Sequence, residues 1–201
     1  MFLLYAIAAG LLVGFLIGGR PAGLATLEFR WAWLAIAGFA VQIALFSGPI
    51  ADRIGETAGS AIYVASTAAV FIAVLRNYRI AGLPIVALGA ASNLAAIVAN
   101  GGHMPTSAAA AAAAGRDAIV GYSNSAIVEH PNLAPLTDVF ALPPGLPMSN
   151  VFSIGDVLIA VGIATTIALA MRRNPSSVPD EATTAPESAV RPDATAGPES
   201  A

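Results

Sequence analysis

Asn100-Gly101-Gly102-His103-Met104-Pro105 and Ser153-Ile154-Gly155-Asp156 bracket the segment around which this chain is organised. The first follows an apolar run ending at Ala99, and the second leads into an apolar run that reaches Met171. Asn100-Gly101-Gly102 has the form of a helix end, because glycine enters the left-handed conformation that closes a helix without a Cβ clash. Ser153-x-x-Asp156 has the form of a helix start. There the serine hydroxyl accepts from the amide three residues on, and the carboxylate sits where the helix dipole favours negative charge. The residues between these caps are too many for a plain connection.

Composition fixes the setting. Apolar residues are 57% of the chain and charged residues 10%, which leaves too little charge to cover a water-soluble domain of this size. The sequence predicts an all-α integral membrane protein with five transmembrane helices over about residues 2–18, 31–50, 58–75, 83–99 and 154–171. Residues 100–153 form a lid loop between helices 4 and 5, and residues 174–201 a disordered tail of Pro, Ala, Ser, Thr and acidic residues. The tail holds five acids and one Arg, so residues 1–173, with eight Arg and seven acids, are nearly neutral and offer nucleic acid no basic patch.

The first run, Phe2 to Gly18, is uncharged and about 26 Å long as a helix. It does not read as a signal peptide, since the first basic residue, Arg20, comes after it. Ala6, Gly10, Gly14 and Gly18 form a small-residue stripe suited to close packing, within the chain or between two copies in a homodimer. Trp31 and Trp33 mark an interfacial belt at the start of the second span. Pro84 sits in the first turn of the fourth, where its missing N–H does no harm.

Two features exclude a further span inside the lid. Arg116 and Asp117 would lie near the centre of a helix over residues 108–128, at roughly +2.5 to +3.5 kcal/mol each. Pro135, Pro143, Pro144 and Pro147 interrupt the apolar stretch from Leu133 to Phe152, which is expected to pack over the bundle mouth or dip shallowly into it. Ser107, seven Ala and Gly115 predict a short capped helix.

Arginine placement gives the orientation. With the N-terminus outside, the inner connections carry Arg20, Arg30, Arg76, Arg79, Arg172 and Arg173, and the outer ones only Arg53 and Arg116. The lid is then non-cytoplasmic and the tail cytoplasmic.

The candidate binding residues are Gln42, Asn93, Asn100, His103, Asp138 and Asp156. Gln42 lies mid-span, where an amide needs a partner. Gly89, Asn93, Ala96 and Asn100 share one helix face, a polar seam whose two amides are about 10 Å apart along the axis. His103, Glu129, His130, Asp138 and Asp156 have no metal-ligand spacing, and without Cys there is neither a thiolate site nor a disulfide. No nucleophile elbow, phosphate loop or dinucleotide fingerprint is present. Neither a metal nor a cofactor is expected.

The motifs Asn100-Gly-Gly-x-Met-Pro-x-Ser107, Leu142-Pro-Pro144 and Ser153-Ile-Gly-Asp156 resemble an uncharacterised, domain-of-unknown-function family of small bacterial multi-span membrane proteins. Gly18-Gly-Arg20, Gln42 and Asn93 extend the likeness over residues 1–173, with Thr137 standing before Asp138 where the pattern has Gly. The resemblance implies a multi-pass protein of a bacterial cytoplasmic (inner) membrane and assigns no activity.

The function expected is that of a non-enzymatic envelope binding or accessory protein, its outer loop engaging a partner or membrane lipid. A small-solute transporter or channel lined by Gln42, Asn93 and Asn100 is one alternative. An enzyme using Asp156 or Asp138 as a base is another.

Overall fold

A computed structural model describes residues 2–47, 50, 53–115, 125–145, 147 and 149–173. Arg116, Asp117 and the tail from Asn174 lie outside the described residues. The protein is mostly helical. Its principal α-helices among the described residues are α1 (Phe2–Leu16), α2 (Ala32–Leu45), α3 (Glu56–Arg76), α4 (Leu83–Ala99), the short α5 (Ala108–Ala113) and α6 (Ile154–Ala170). Of these, α3 is long and apolar enough to cross a membrane; α1, α2, α4 and α6 are apolar and shorter. Helix α2 stops at Leu45 rather than near Ile50, and Phe46 closes it with its amide on the Gln42 carbonyl.

The long helices pack in the order α1, α6, α4, α3, α2, so α6 is inserted between the first helix and the fourth. Small residues set these contacts. A Cβ added at Gly10 would stand 2.9 Å from the Ala164 Cα, and one at Gly14 would fall on the Met171 sulfur. Ala6, Gly10 and Gly14 are therefore covered by α6 of the same chain, while Gly18, at φ +80°, lies beyond the helix. A second copy would have to displace α6 to use that stripe. A Cβ at Gly38 would likewise stand 3.0 Å from the Ser66 carbonyl oxygen, which brings α2 onto α3.

Two apolar cores lie at opposite ends of the bundle, along the helix axes. Leu45, Tyr63, Ile97 and Met104 fill the end beside the lid, where the Phe46 and Tyr63 rings meet edge to face at 5.1 Å. Val74, Leu83, Val86 and Ala87 fill the other end. There Arg20 donates its amide to the Met171 carbonyl at 2.7 Å, closing the turn after α1 onto the end of α6.

The lid, expected as a loop of an all-α protein, contains two small strand pairs. Strand β1 (Met104–Thr106) runs parallel to β2 (Ser125–Ile127), and β3 (Phe140–Ala141) antiparallel to β4 (Val151–Phe152). Asp138 adds a backbone bridge to Thr106, with its amide on Pro105 and its carbonyl taking the Ser107 amide. Ser107 caps α5 by accepting from the Ala110 amide at 3.1 Å. The Tyr5 hydroxyl donates to the Pro147 carbonyl and fastens the lid to α1. Its apolar interior is small: Phe140 stacks on Phe152 at 5.4 Å, and Val151 packs with Ala110 and Ala114.

Candidate functional site

The two motifs that bracket the lid end α4 and start α6, and both caps form. At the end of α4, Gly101 and Gly102 take φ of +71° and +90°, and the Gly102 amide bonds the Ile97 carbonyl at 2.9 Å. That is the six-to-one bond of a Schellman closure. At the start of α6, the Ser153 hydroxyl accepts from the Asp156 amide and the Asp156 Oδ2 accepts from the Ser153 amide, each at 3.0 Å.

A third residue completes this cap. Asn93, on α4, donates from Nδ2 to Asp156 Oδ1 at 2.8 Å and accepts from the Ser153 hydroxyl at 2.8 Å. Four hydrogen bonds thus close a circuit among Asn93, Ser153 and Asp156, with Ser153 fully buried. Such a satisfied network fixes one register between two apolar helices, because any slip leaves buried polar groups unpaired. Gly155 makes the approach possible, since a Cβ there would fall on the Asn93 side chain.

Asp138 comes to the same place from the lid. It is 6% exposed. Burial, and then the neighbouring Asp156 carboxylate, push its pKa up to about 7, with the Thr106 hydroxyl opposing weakly. Thr106 Oγ1 is itself buried and makes no hydrogen bond of good geometry. Asp138 therefore holds its proton below neutral pH, beside a carboxylate whose two oxygens are already engaged.

The other candidates lie elsewhere. Gln42 donates to the Thr67 hydroxyl at 3.2 Å between α2 and α3, away from the Asn93 circuit. Asn100 is committed to the lid: its Nδ2 reaches the Ala96 and Asn132 carbonyls at 2.7 and 2.9 Å, and its Oδ1 takes the Asn132 amide at 2.8 Å. His103 stands 3.5 Å from Glu56 and 3.4 Å from the Ser60 hydroxyl, against the start of α3. Among the described residues no three His, Asp or Glu side chains converge in a way that could hold a metal ion. Asn93, Asp138 and Asp156 are thus brought together, and Gln42, Asn100 and His103 are not.

Sequence reasoning missed Asn132, Ser153 as a partner of Asn93, and an open pocket of about 400 Å³ on the lid. Ala108, Ile127, Val128, Pro131, Ala134 and Val139 give the pocket apolar walls, with Ser107, Glu129 and Thr137 adding polar atoms. Thr137 and Val139 line the pocket while Asp138 between them points to the other side, as successive residues of an extended segment do, but the sequence Thr137-Asp138-Val139 carries no apolar–polar alternation to announce it.

These elements define a class: a mostly helical protein whose helices carry a small two-sheet lid, latched at the α4–α6 junction by a closed polar circuit. The family of unknown function DUF5317 matches residues 26–168, and the chain belongs to that family. The match takes in both motifs that bracket the lid and starts after α1. No curated protein and no solved structure matches the chain.

Proposed function

We propose that this is a five-span integral membrane protein that acts, without catalysis, as a binding or accessory component of the bacterial envelope, its non-cytoplasmic lid engaging an apolar partner segment. The lid pocket is the observation that carries this reading: it is open, walled by apolar side chains and placed on the segment between α4 and α6.

The membrane setting is supported by what α1 and α2 leave uncovered. Leu12, Phe15 and Leu16 on α1, and Trp33, Ile36, Phe39 and Ile43 on α2, are all exposed, an apolar surface that water does not tolerate on a monomer. Helices of 14 to 17 residues are about 21–26 Å long, short for a 30 Å hydrocarbon layer. Local bilayer thinning and flanking aromatic and Arg anchors match such lengths. Arg20, Arg30, Arg76, Arg79, Arg172 and Arg173 lie at the end away from the lid, which the positive-inside rule assigns to the cytoplasm.

The transporter reading needs polar groups joined along a path. Here Gln42 and Asn93 are each spent on a neighbouring helix, and Asn100 on the lid. The enzyme reading needs Asp156 or Asp138 to be a carboxylate facing a substrate cavity: both Asp156 oxygens are engaged, and Asp138 is buried and does not line the lid pocket.

Purification of the native protein in lipid, followed by mass spectrometry, tests the proposal. A species retained by the native chain is expected to be lost from Val139→Asp, which places a charge in the pocket wall. Retention unchanged by that substitution contradicts lid-mediated binding.

A further inference from the structure

We propose that the end of the bundle opposite the lid binds an anionic phospholipid, its phosphate held by Arg30, Arg76 and Arg79 and its acyl chain lying along α2. The inference rests on the membrane reading above and concerns a different face of the molecule.

Three arginines are brought to this end by a structural clamp on the chain that carries them. Asn77, 4% exposed, accepts from the Arg30 amide and donates to the Arg30 and Ala73 carbonyls, each at 2.7 Å. This fixes the start of α2 beside the end of α3. Arg76 then lies 5.8 Å over the Trp31 ring, and Arg79 donates Nε to the Tyr78 hydroxyl at 3.2 Å. All three arginines are exposed, and among the described residues none has a carboxylate partner. Glu28 is the one acid in the connection from Arg20 to Arg30. Like charges gathered without a counter-ion call for one from outside. A guanidinium lying over an aromatic ring keeps N–H edges free for phosphate oxygens.

The surroundings select a lipid over a soluble polyanion. Trp31, Trp33 and Tyr78 are exposed beside the arginines, and the surface continues along α2 through Ile36, which is 67% exposed. Nucleic acid or an acidic protein has no use for that apolar continuation. A lipid matches both parts, with its headgroup at the aromatic and Arg level and its chain alongside the helix.

The test incorporates the full chain into nanodiscs of mixed phosphatidylcholine and phosphatidylglycerol and measures, by native mass spectrometry, the lipids that stay bound. Phosphatidylglycerol is expected to be enriched over its share of the disc. The enrichment should fall by about fivefold or more in the Arg30→Gln, Arg76→Gln, Arg79→Gln triple variant. It should be kept in Arg53→Gln, and largely kept when the three are replaced by Lys, which also shows that the face tolerates substitution. No enrichment, or equal enrichment in the Gln triple variant, overturns the inference while leaving the membrane reading intact. Equal stabilisation by inorganic phosphate in phosphatidylcholine discs would show a soluble-anion site and also overturn it. Failure of the native chain to enter the discs overturns both.

Discussion

Gly155→Ala is expected to be among the most damaging single-methyl additions in this protein. The new Cβ would fall on Asn93 Oδ1, 2.7 Å from Asn93 Cγ and 2.7 Å from the Gly89 carbonyl oxygen. The Gly89 contact is backbone, so relief requires α4 to move away from α6. Overpacking of this kind costs about 1–3 kcal/mol. Displacing Asn93 would also strand the Ser153 hydroxyl and one Asp156 oxygen, adding about 1–3 kcal/mol for buried groups left unpaired. The total should lie near 3–5 kcal/mol, read as a fall in the thermal midpoint in lipid or detergent. Gly145→Ala is the control, because a Cβ there meets nothing within 4 Å, and it should change stability by less than about 0.5 kcal/mol. Asn93→Ala removes the atoms that the Gly155 methyl strikes. The Gly155→Ala, Asn93→Ala pair should therefore cost less than the sum of its members. Strict additivity would show that the two residues do not share the junction.

Asp138→Asn is expected to stabilise the protein above neutral pH and not in acid. Burial and the Asp156 carboxylate lift the Asp138 pKa from an ordinary value near 3.8 to about 7. The folded protein thus holds this proton to higher pH than the unfolded chain does. The resulting stability is full below the ordinary value and is lost as pH rises through 7, where the group ionises against a second carboxylate. The largest loss attached to a shift of that size is of order 4 kcal/mol, and opening of the lid would reduce it. The native protein should therefore be more stable at pH 5 than at pH 8. Asp138→Asn should flatten this profile and exceed the native stability at pH 8 by a few kcal/mol. Identical pH profiles for the two proteins would place the source of any pH dependence elsewhere. Asp138 bridges Thr106 through its backbone and meets Asp156 through its charge, so the same substitution should slow proteolysis of the lid at alkaline pH.

Both expectations concern a junction that was half legible from the amino-acid order. The existence of the helices follows from their apolar runs, the caps at Ser107 and Ser153 from side-chain chemistry that acts within one turn, and the close after Asn100 from its two glycines. The seam face of α4 was legible too, since Gly89, Asn93 and Ala96 recur at helical spacing; Gly89 and Ala96 are buried, and Asn93 faces α6. Its partner was not. A helix that is apolar all round carries no stripe to say which neighbour it meets, and α6 lies far from α1 and α4 in the sequence. Gly155 read as part of a capping motif, whereas its use is to let the Asn93 side chain lie against the α6 backbone. Gln42 and Asn93 read alike as amides in apolar helices, yet one joins α2 to α3 and the other α4 to α6. The lid was the least legible part. Its strands are two or three residues long, too short for alternation to register, and Asn132 reaches Asn100 across 32 positions.

The central claim is that the lid and the Arg-rich end face opposite sides of a membrane, and site-directed labelling addresses it without background because the chain has no Cys. Ala109, exposed on α5, and Ala25, exposed in the turn after α1, are replaced singly by Cys. Each variant is treated with a membrane-impermeant maleimide, in intact cells with a permeabilised outer envelope and again after lysis. Ala109→Cys is expected to label fully in intact cells, and Ala25→Cys only after lysis. Labelling of both in intact cells, or of Ala25→Cys alone, would contradict the account.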